Sequence, residues 1–526
     1  MPLSDGHILT TVLLTPAAGA LAISFIQRDS VRRWVANAAA ILAVLLSVLV
    51  AVRFHGAGGQ AFQFVQDLSW IPAIDVRYTL GIDGISLLMV LLTTVFSAVA
   101  IARGWGEARR REYYVLLLAL ETSMLGTFVA LDLVLFYMFW ILALIPMYFL
   151  IALWGGRQGF RAALRFLLFM LAGSLAMLLA ILAIYLHAHT FSIQAIVESP
   201  AALLSPELQR PIFWVFFLAF AVRASMFPFH TWLPEAVSEA PASACILLCA
   251  VLLKMGTYGF LRFSVSMLPE ACVRYHGAAV FLSIVAIVYG ALICLVQQDF
   301  KRLIAYFSIS QLGFCTLGIF ALTRAALSGS VVHQVSHGIS VAGLLLVAAL
   351  ISRRRETQSI GEFGGLWESM PAFSAVYLAI TLSAIGTPLL SGFVGEFTIL
   401  RGAFEARWQW SLWGVIGVAL TAACFLWFYQ RITFGEARPE HGAFADLDRG
   451  EYACLIPLVV LTLWIGIYPA PLFRALESPV EAAVQRCYPA SSGAQTADAA
   501  PHSAKRGGSF APAAAAMPAN PSPVRK

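Results

Sequence analysis

The stretch Phe220–Pro241, "FAVRASMFPFHTWLPEAVSEAP", carries two conflicting signals. Its first residues close an apolar run that starts at Pro211, yet Arg223 sits inside that run and Pro228 and Pro234 interrupt it. Proline removes a backbone donor and clashes with the preceding turn of a helix. In hydrocarbon such a break survives only where protein or a water-filled cavity satisfies the freed groups. An arginine near the centre of a spanning helix costs roughly 2.5–3.5 kcal/mol on insertion scales, so it is kept for a reason. One break of this kind can be an ordinary proline kink; a second at a corresponding place would mark a transport pathway.

The surroundings fix the class. The chain has 526 residues, 60% hydrophobic and 12% charged, with a mean hydropathy of +0.81, which leaves too little polar surface to enclose a soluble core. Apolar runs near 20 residues recur from end to end, each able to cross about 30 Å of hydrocarbon. The expected fold is an all-α polytopic membrane protein. About fourteen transmembrane helices are expected, near 7–26, 32–53, 78–102, 113–131, 133–154, 161–187, 211–240, 243–263, 277–297, 302–322, 328–351, 372–400, 410–433 and 452–474. The first lacks a convincing A-x-A cleavage site and is read as a retained helix, not a signal peptide.

The net charge of +6 is distributed by loop and is not a nucleic-acid signal. Arg28, Arg32 and Arg33 share one loop, Arg109 to Arg111 the next but one, and Arg157 and Arg161 the next but one again. Lys301 with Arg302, then Arg353 to Arg355, then Arg431 and Arg438 continue the alternation. By the positive-inside rule these loops face the cytoplasm, which places both termini on the outer side. The eight cysteines form no CxxC pair and most lie in apolar spans, where cysteine is a small hydrophobe. Residues 54–77 form an outer loop with turn signals and aromatics, and 488–526 form an Ala/Pro/Ser-rich tail expected to be disordered.

A second break exists. Five spans after Arg223, "SAIGTPLLSGFVGEF" (Ser383–Phe397) interrupts another span at Gly386, Pro388 and Gly392, with Glu396 just beyond. Paired Gly/Pro-interrupted spans point to inverted-repeat transporters, whose broken helices line a polar path near mid-membrane. The other ionisable residues within spans are Glu121, Glu235, Lys254, His333 and His337. Glu239 and Arg262 lie near helix ends, where snorkelling to the interface is cheap. His333 and His337 share a helix face at a spacing that suits a metal, but no third ligand accompanies them. A chain of titratable groups across the membrane suits ion or proton relay. Lys254, in "CAVLLKMGTYGF", can lose and regain a proton, whereas Arg223 keeps its charge and can only bias a neighbour.

Several long motifs occur in order: "LGIDGISLLMVLLTT", "ALDLVLFYMFW", "LIPMYFLIALWGG", "FPFHTWLPEAVSEAP", "LLKMGTYGFLRF", "QQDFKRLIAYFSISQLGF", "HGIS" and "GFVGEF". Together they closely resemble the M-type antiporter-like membrane subunits of bacterial proton-pumping NADH:quinone oxidoreductase (complex I), related to mitochondrial NADH dehydrogenase subunit 4. The resemblance runs over nearly all of 1–475. It implies two inverted five-helix repeats with broken helices 7 and 12. It implies no cofactor in this chain, with NADH, flavin, iron–sulfur clusters and quinone in partner subunits. The implied partners are other membrane-arm subunits, especially neighbouring antiporter-like ones, with lipid and protons and no nucleic acid, in a bacterial inner membrane with both termini periplasmic. The implied organisation is helices 1–3 within 1–112, a translocation core over 113–433, a last helix with its flanks over 434–487, and the tail.

Carried over by position, Lys254 matches the family's central lysine on helix 8, His337 its histidine on helix 11, and Glu396 its outlet glutamate, with His333 and Gln311 beside the path. The departures lie in the other half. Ile141 stands where the family has a glutamate on helix 5, and Arg223 where it has the lysine that pairs with it. Gln311 and Val237 replace histidines. Glutamine can hold a water chain but cannot take a proton charge. The N-terminal half therefore looks disabled or reassigned to another acid, of which Glu121 is the nearest in sequence. The functions this leaves open are proton translocation within NADH:quinone oxidoreductase, a non-pumping structural role in the same assembly, or membership of an Mrp-type cation/proton antiporter, a membrane-bound hydrogenase or an inorganic-carbon uptake assembly.

Overall fold

The computed structural model describes residues 7–55, 61–103, 111–434 and 445–489. Among these, twelve helices are long and apolar enough to cross a membrane: Ile8–Phe25, Asp29–Arg53, Gly84–Ala102, Arg111–Val129, Leu133–Trp154, Gly159–Ala188, Ala242–Val265, Pro269–Leu295, Phe300–Phe320, Arg324–Arg355, Trp408–Phe434 and Arg449–Ile467. Two further crossings are each split in two. Pro206–Arg223 is followed by Trp232–Glu239, and Pro371–Ala384 by Ser391–Ala406. These supply the seventh and twelfth of the fourteen expected spans. The two breaks therefore lie five crossings apart.

Local structure repeats at the same interval. Asp132 opens the fifth crossing by accepting from the amides of Val134 and Leu135, and Asp299 opens the tenth by accepting from the Arg302 amide. Leu133 N donates to Phe191 O and Ile193 N to Leu131 O, joining Asp132 to Ser192 in a short antiparallel bridge. Phe300 N donates to Gln358 O and Ile360 N to Gln298 O, joining Asp299 to Ser359 in the same way. The Ser192 and Ser359 amides each donate to a threonine hydroxyl two residues earlier, Thr190 and Thr357. Five crossings is an odd number, so two identical clasps five crossings apart lie on opposite faces of the bundle. The fold is thus a five-helix unit used twice, the second copy inverted.

The alternate loops gather at one end. A cavity of ≈ 800 Å³ is lined by Gly155–Gln158, Ser238–Ala242, Asp299, Lys301, Arg353 and Glu356–Gln358, which belong to the loops after crossings 5, 7, 9 and 11. Glu239 builds part of its wall: its carboxylate accepts from the Gln158 amide at 3.0 Å and its carbonyl from the Gly156 amide at 2.9 Å. Arg109, Arg110, Arg438 and residues 490–526 lie outside the described residues.

Three expectations need correction. The outer loop over 54–77 contains an antiparallel hairpin, Gln63–Ile71 paired with Val76–Ile82, whose strands are β-prone and turn at Asp75 in the left-handed region. Arg262 does not snorkel: it is buried and ion-paired with buried Asp83 at 2.9 Å, while Tyr258 and Ser86 complete the cluster. The segment after the last crossing forms a further helix, Ala470–Cys487, with Leu472, Leu476, Val480, Ala483 and Cys487 buried along one stripe. Its apolar residues recur at helical spacing, but its charged face kept its hydropathy too low to stand out as a span.

Candidate functional site

Lys254 owes its environment to an irregular helix. The eighth crossing carries two wide π-turns, Leu248–Leu252 and Phe260–Val265, on either side of it. Such turns loosen the hydrogen-bond ladder and recur at functional sites. Lys254 Nζ donates back to the Cys249 carbonyl, five residues earlier, at 2.6 Å. It also donates to His337 Nδ1 at 2.8 Å, and no part of the Lys254 side chain reaches the surface. Gly256 sets how close this helix comes to the first broken one: a β-carbon there would lie 2.6 Å from Ala224 N.

From Lys254 a line of polar groups runs to the second break. His337 and His333 share a face of Arg324–Arg355, with ring centroids 6.5 Å apart. His333 Nε2 donates to Gln311 Oε1 at 2.9 Å, and the Gln311 side chain lies beside the Glu396 carboxyl. Glu396 sits on Ser391–Ala406, just past the break, and is 4% exposed. The break is shaped for it. Gly386 holds φ +71°, and a β-carbon there would lie within 2.1 Å of Glu396 Oε2, so only glycine lets the backbone meet the carboxylate. Pro388 lies in the interruption, and Leu389 also adopts a positive φ of 70°. Lys254, His337, His333, Gln311 and Glu396 thus form one buried series. His337 Nε2 and His333 Nδ1 are the polar atoms along it with no hydrogen-bond partner among the described residues.

Some contributors had no clear signal in sequence. Ser340, Ser383, Ser391 and Thr462 form a buried hydroxyl cluster with spacings of 3.0 to 3.4 Å that bridges the two halves of the second broken helix. Gln334 accepts from Thr257 at 2.6 Å, tying the eleventh crossing to the eighth beside Lys254. Serine and threonine are common in membrane helices, and these four come from three crossings, so nothing in the linear order joins them.

The first break is built differently. Arg223 closes Pro206–Arg223, where a cation complements the helix C-terminus. Ser225 follows at φ +52°. Pro228 lies in the interruption, whereas Pro234 falls in the first turn of Trp232–Glu239, where its missing N–H has no intrahelical partner to lose. The Trp232 indole donates across the break to Val222 O at 3.2 Å. Arg223 is 1% exposed. Its guanidinium lies over the Trp140 ring, with Cζ 4.1 Å from the centroid, and Nη2 donates to Trp140 O at 3.0 Å. Ile141 is the next residue, so the carboxylate absent at that position would have been adjacent in sequence to this contact. No ion pair involves Arg223 among the described residues. Its Nε and Nη1 have no partner, and neither has either carboxyl oxygen of the buried Glu121. The structure does not bring Glu121 and Arg223 together. Glu235 pairs with Arg165 at the surface of the same broken helix, and Val237 is buried.

Residues 130–421 match the family model described as NADH:quinone oxidoreductase/Mrp antiporter, TM. This chain belongs to that family. Among its relatives is NADH-quinone oxidoreductase subunit M of Rhodobacter capsulatus, 40% identical over 482 residues that cover 88% of this chain and 94% of the relative. NADH-ubiquinone oxidoreductase chain 4 of Arabidopsis thaliana is 37% identical, covering 91% and 97%. A chain of respiratory complex I from Thermus thermophilus superposes with a TM-score of 0.84 at 30% identity over 91% of this chain and 99% of that one. A chain of the Mrp complex from Dietzia superposes at 0.78 with 23% identity, which shows the shared fold alone. This chain holds a lysine-centred buried series leading to the second break and an arginine on tryptophan at the first. Among the described residues no group of three or more His, Cys, Asp or Glu is placed to hold a metal ion.

Proposed function

We propose that this chain is an M-type membrane-arm subunit of NADH:quinone oxidoreductase that carries protons through its C-terminal half. The observation that supports this most is the buried series from Lys254 through His337, His333 and Gln311 to Glu396 at the second break. Lysine, histidine and glutamate each bind and release a proton, and Gln311 holds the line between His333 and Glu396. One water suffices to bridge neighbouring histidine rings at this separation. The translocation core is 113–433. Redox chemistry belongs to partner subunits holding NADH, flavin, iron–sulfur clusters and quinone; this chain supplies none of these and lies among neighbouring antiporter-like subunits. The basic alternate loops face the cytoplasm and both termini face outward.

Arg223 on Trp140, with Ile141 in place of an acid, favours a second reading in which this copy is a structural, non-pumping member of the same assembly. The proton-to-electron ratio of NADH oxidation in sealed vesicles separates the two. After equal assembly is established, Lys254→Ala is compared with the native chain. A lower ratio or slowed turnover is expected. An unchanged ratio and rate would reject translocation through this chain and select the structural reading.

A further inference from the structure

The amphipathic strap Ala470–Cys487 closes one end of an apolar cavity of ≈ 580 Å³. The second, third, eleventh and last crossings form its walls, and Arg474 on the strap is the one charged residue in its lining. The third crossing, Gly84–Ala102, lines it from Leu87 to Phe96. At 1.5 Å per residue that is about 14 Å, close to half of the ~30 Å of hydrocarbon. On the eleventh crossing it meets Val335 and Ile339, midway along Arg324–Arg355 and on either side of His337. The cavity is therefore one leaflet deep. That depth suits an acyl chain and not a helix, which would span both leaflets.

The mouth lies at headgroup level. The strap crosses the start of the third crossing so closely that Gly84 has no room for a β-carbon against Ala475 O. Trp464, 46% exposed near the end of the last crossing, stands at the same mouth, and tryptophan gathers at membrane–water interfaces. Arg474 is exposed. No ion pair involves it among the described residues, whereas Glu481 on the same strap is paired with Arg324. A cation at the rim of an apolar slot is placed to hold a phosphate while the chain below it fills the slot.

We propose that this cavity binds a single phospholipid, with its phosphate on Arg474 and one acyl chain between the third and eleventh crossings. A chain that leaves the bilayer for the cavity gains little from apolarity alone, because lipid tails are as apolar as leucine. Selection therefore comes from the headgroup. The chain lies against Leu92, and Leu92 meets the eleventh crossing at Gly338, where a β-carbon would be 2.9 Å from Leu92 Cδ1. The bound lipid thus fills the space beside the helix that carries His333 and His337.

The test uses the assembled complex in vesicles that carry a trace of phosphatidylglycerol with a diazirine midway along one chain, or of diacylglycerol with the same chain. After irradiation the adducts are located by peptide mass mapping. Phosphatidylglycerol is expected to label residues 87–96 and 335–339, and diacylglycerol to label them about fivefold less, the factor for one basic residue facing an anionic headgroup. Arg474→Ala is expected to lower phosphatidylglycerol labelling to the diacylglycerol level, and Arg474→Lys to keep it. Leu91→Trp, which fills the slot, is expected to remove both, with assembly checked by native gel. Equal labelling by the two lipids, unchanged in Arg474→Ala, overturns the site and leaves an ordinary bilayer contact. Absence of adducts in both segments overturns it as well, because a neighbouring subunit then covers the cavity.

Discussion

The two broken helices occupy equivalent places in one repeated unit, yet they hold opposite chemistry. At the second break a glycine at φ +71° lets the backbone touch the Glu396 carboxyl, which continues through Gln311 and His333 toward Lys254. At the first, Arg223 rests on the Trp140 ring and carbonyl with no ion-pair partner among the described residues. A lysine, histidine or carboxylate series can change its protonation; an arginine held by an aromatic face cannot do so usefully. The clasps at Asp132 and Asp299 are the same in both halves, so one scaffold surrounds two different chemistries.

The largest expected effect comes from setting Lys254→Met against Arg223→Met. Removal of a group that carries a proton costs on the order of a hundredfold or more in the step it serves, so Lys254→Met is expected to abolish most proton-coupled turnover. Arg223→Met is expected to leave the proton-to-electron ratio unchanged. A ratio that falls equally in both variants would break the contrast. Gly386→Ala tests the shape of the second break without touching a titratable group. Alanine at φ +71° against the Glu396 carboxyl is expected to cost about 1–3 kcal/mol, roughly a five- to 160-fold loss of the competent geometry. Translocation rate with assembly checked by native gel reads it, and a wild-type rate would remove Gly386 from the site.

Arg223→Met sharpens the comparison a second time, through stability. Replacing a buried charge that lacks an ion partner by an apolar side chain of similar length is commonly neutral or stabilising by about 1–4 kcal/mol. The detergent-solubilised complex is expected to keep or raise its melting temperature; a clear drop would show that the arginine holds the break together.

The smallest effect lies outside both halves, in the hairpin. Arg77 donates to both Asp67 oxygens, at 2.8 and 2.6 Å, and Thr79 donates to one of them, which lowers the Asp67 pKa below its ordinary value. The sign follows from the direction. The contribution is complete above the unfolded carboxyl pKa, near 3.9, and disappears as pH falls through the lower folded value. Hairpin amide protection factors, taken relative to intrinsic exchange at each pH, are expected to be higher at pH 5 than at pH 3, and that difference should vanish in Asp67→Asn.

Much of this was legible in the linear order. Fourteen apolar runs, basic residues in alternate loops, and Gly386, Pro388 and Pro228 at two interruptions follow from hydrocarbon thickness and backbone satisfaction, which act on each segment separately. The inverted repeat was readable in principle, since Thr190-x-Ser192-Ile193 and Thr357-x-Ser359-Ile360 recur, but four residues in a long chain carry weight only once both are seen making the same clasp. The strap was hidden because its apolar stripe is diluted by charge.

What the sequence by itself determined is the class, the crossings and the identity of the groups able to bind protons. Those properties are set residue by residue through hydropathy, helix-breaking and side-chain chemistry. Only the tertiary structure decided which groups meet: Lys254 with His337, His333 with Gln311, Glu396 against Gly386, Arg262 with Asp83, and Arg223 with Trp140 in place of Glu121. These contacts span tens to hundreds of residues and form across helix faces. Their partners depend on the rotation and depth at which each helix packs, which local sequence leaves undetermined.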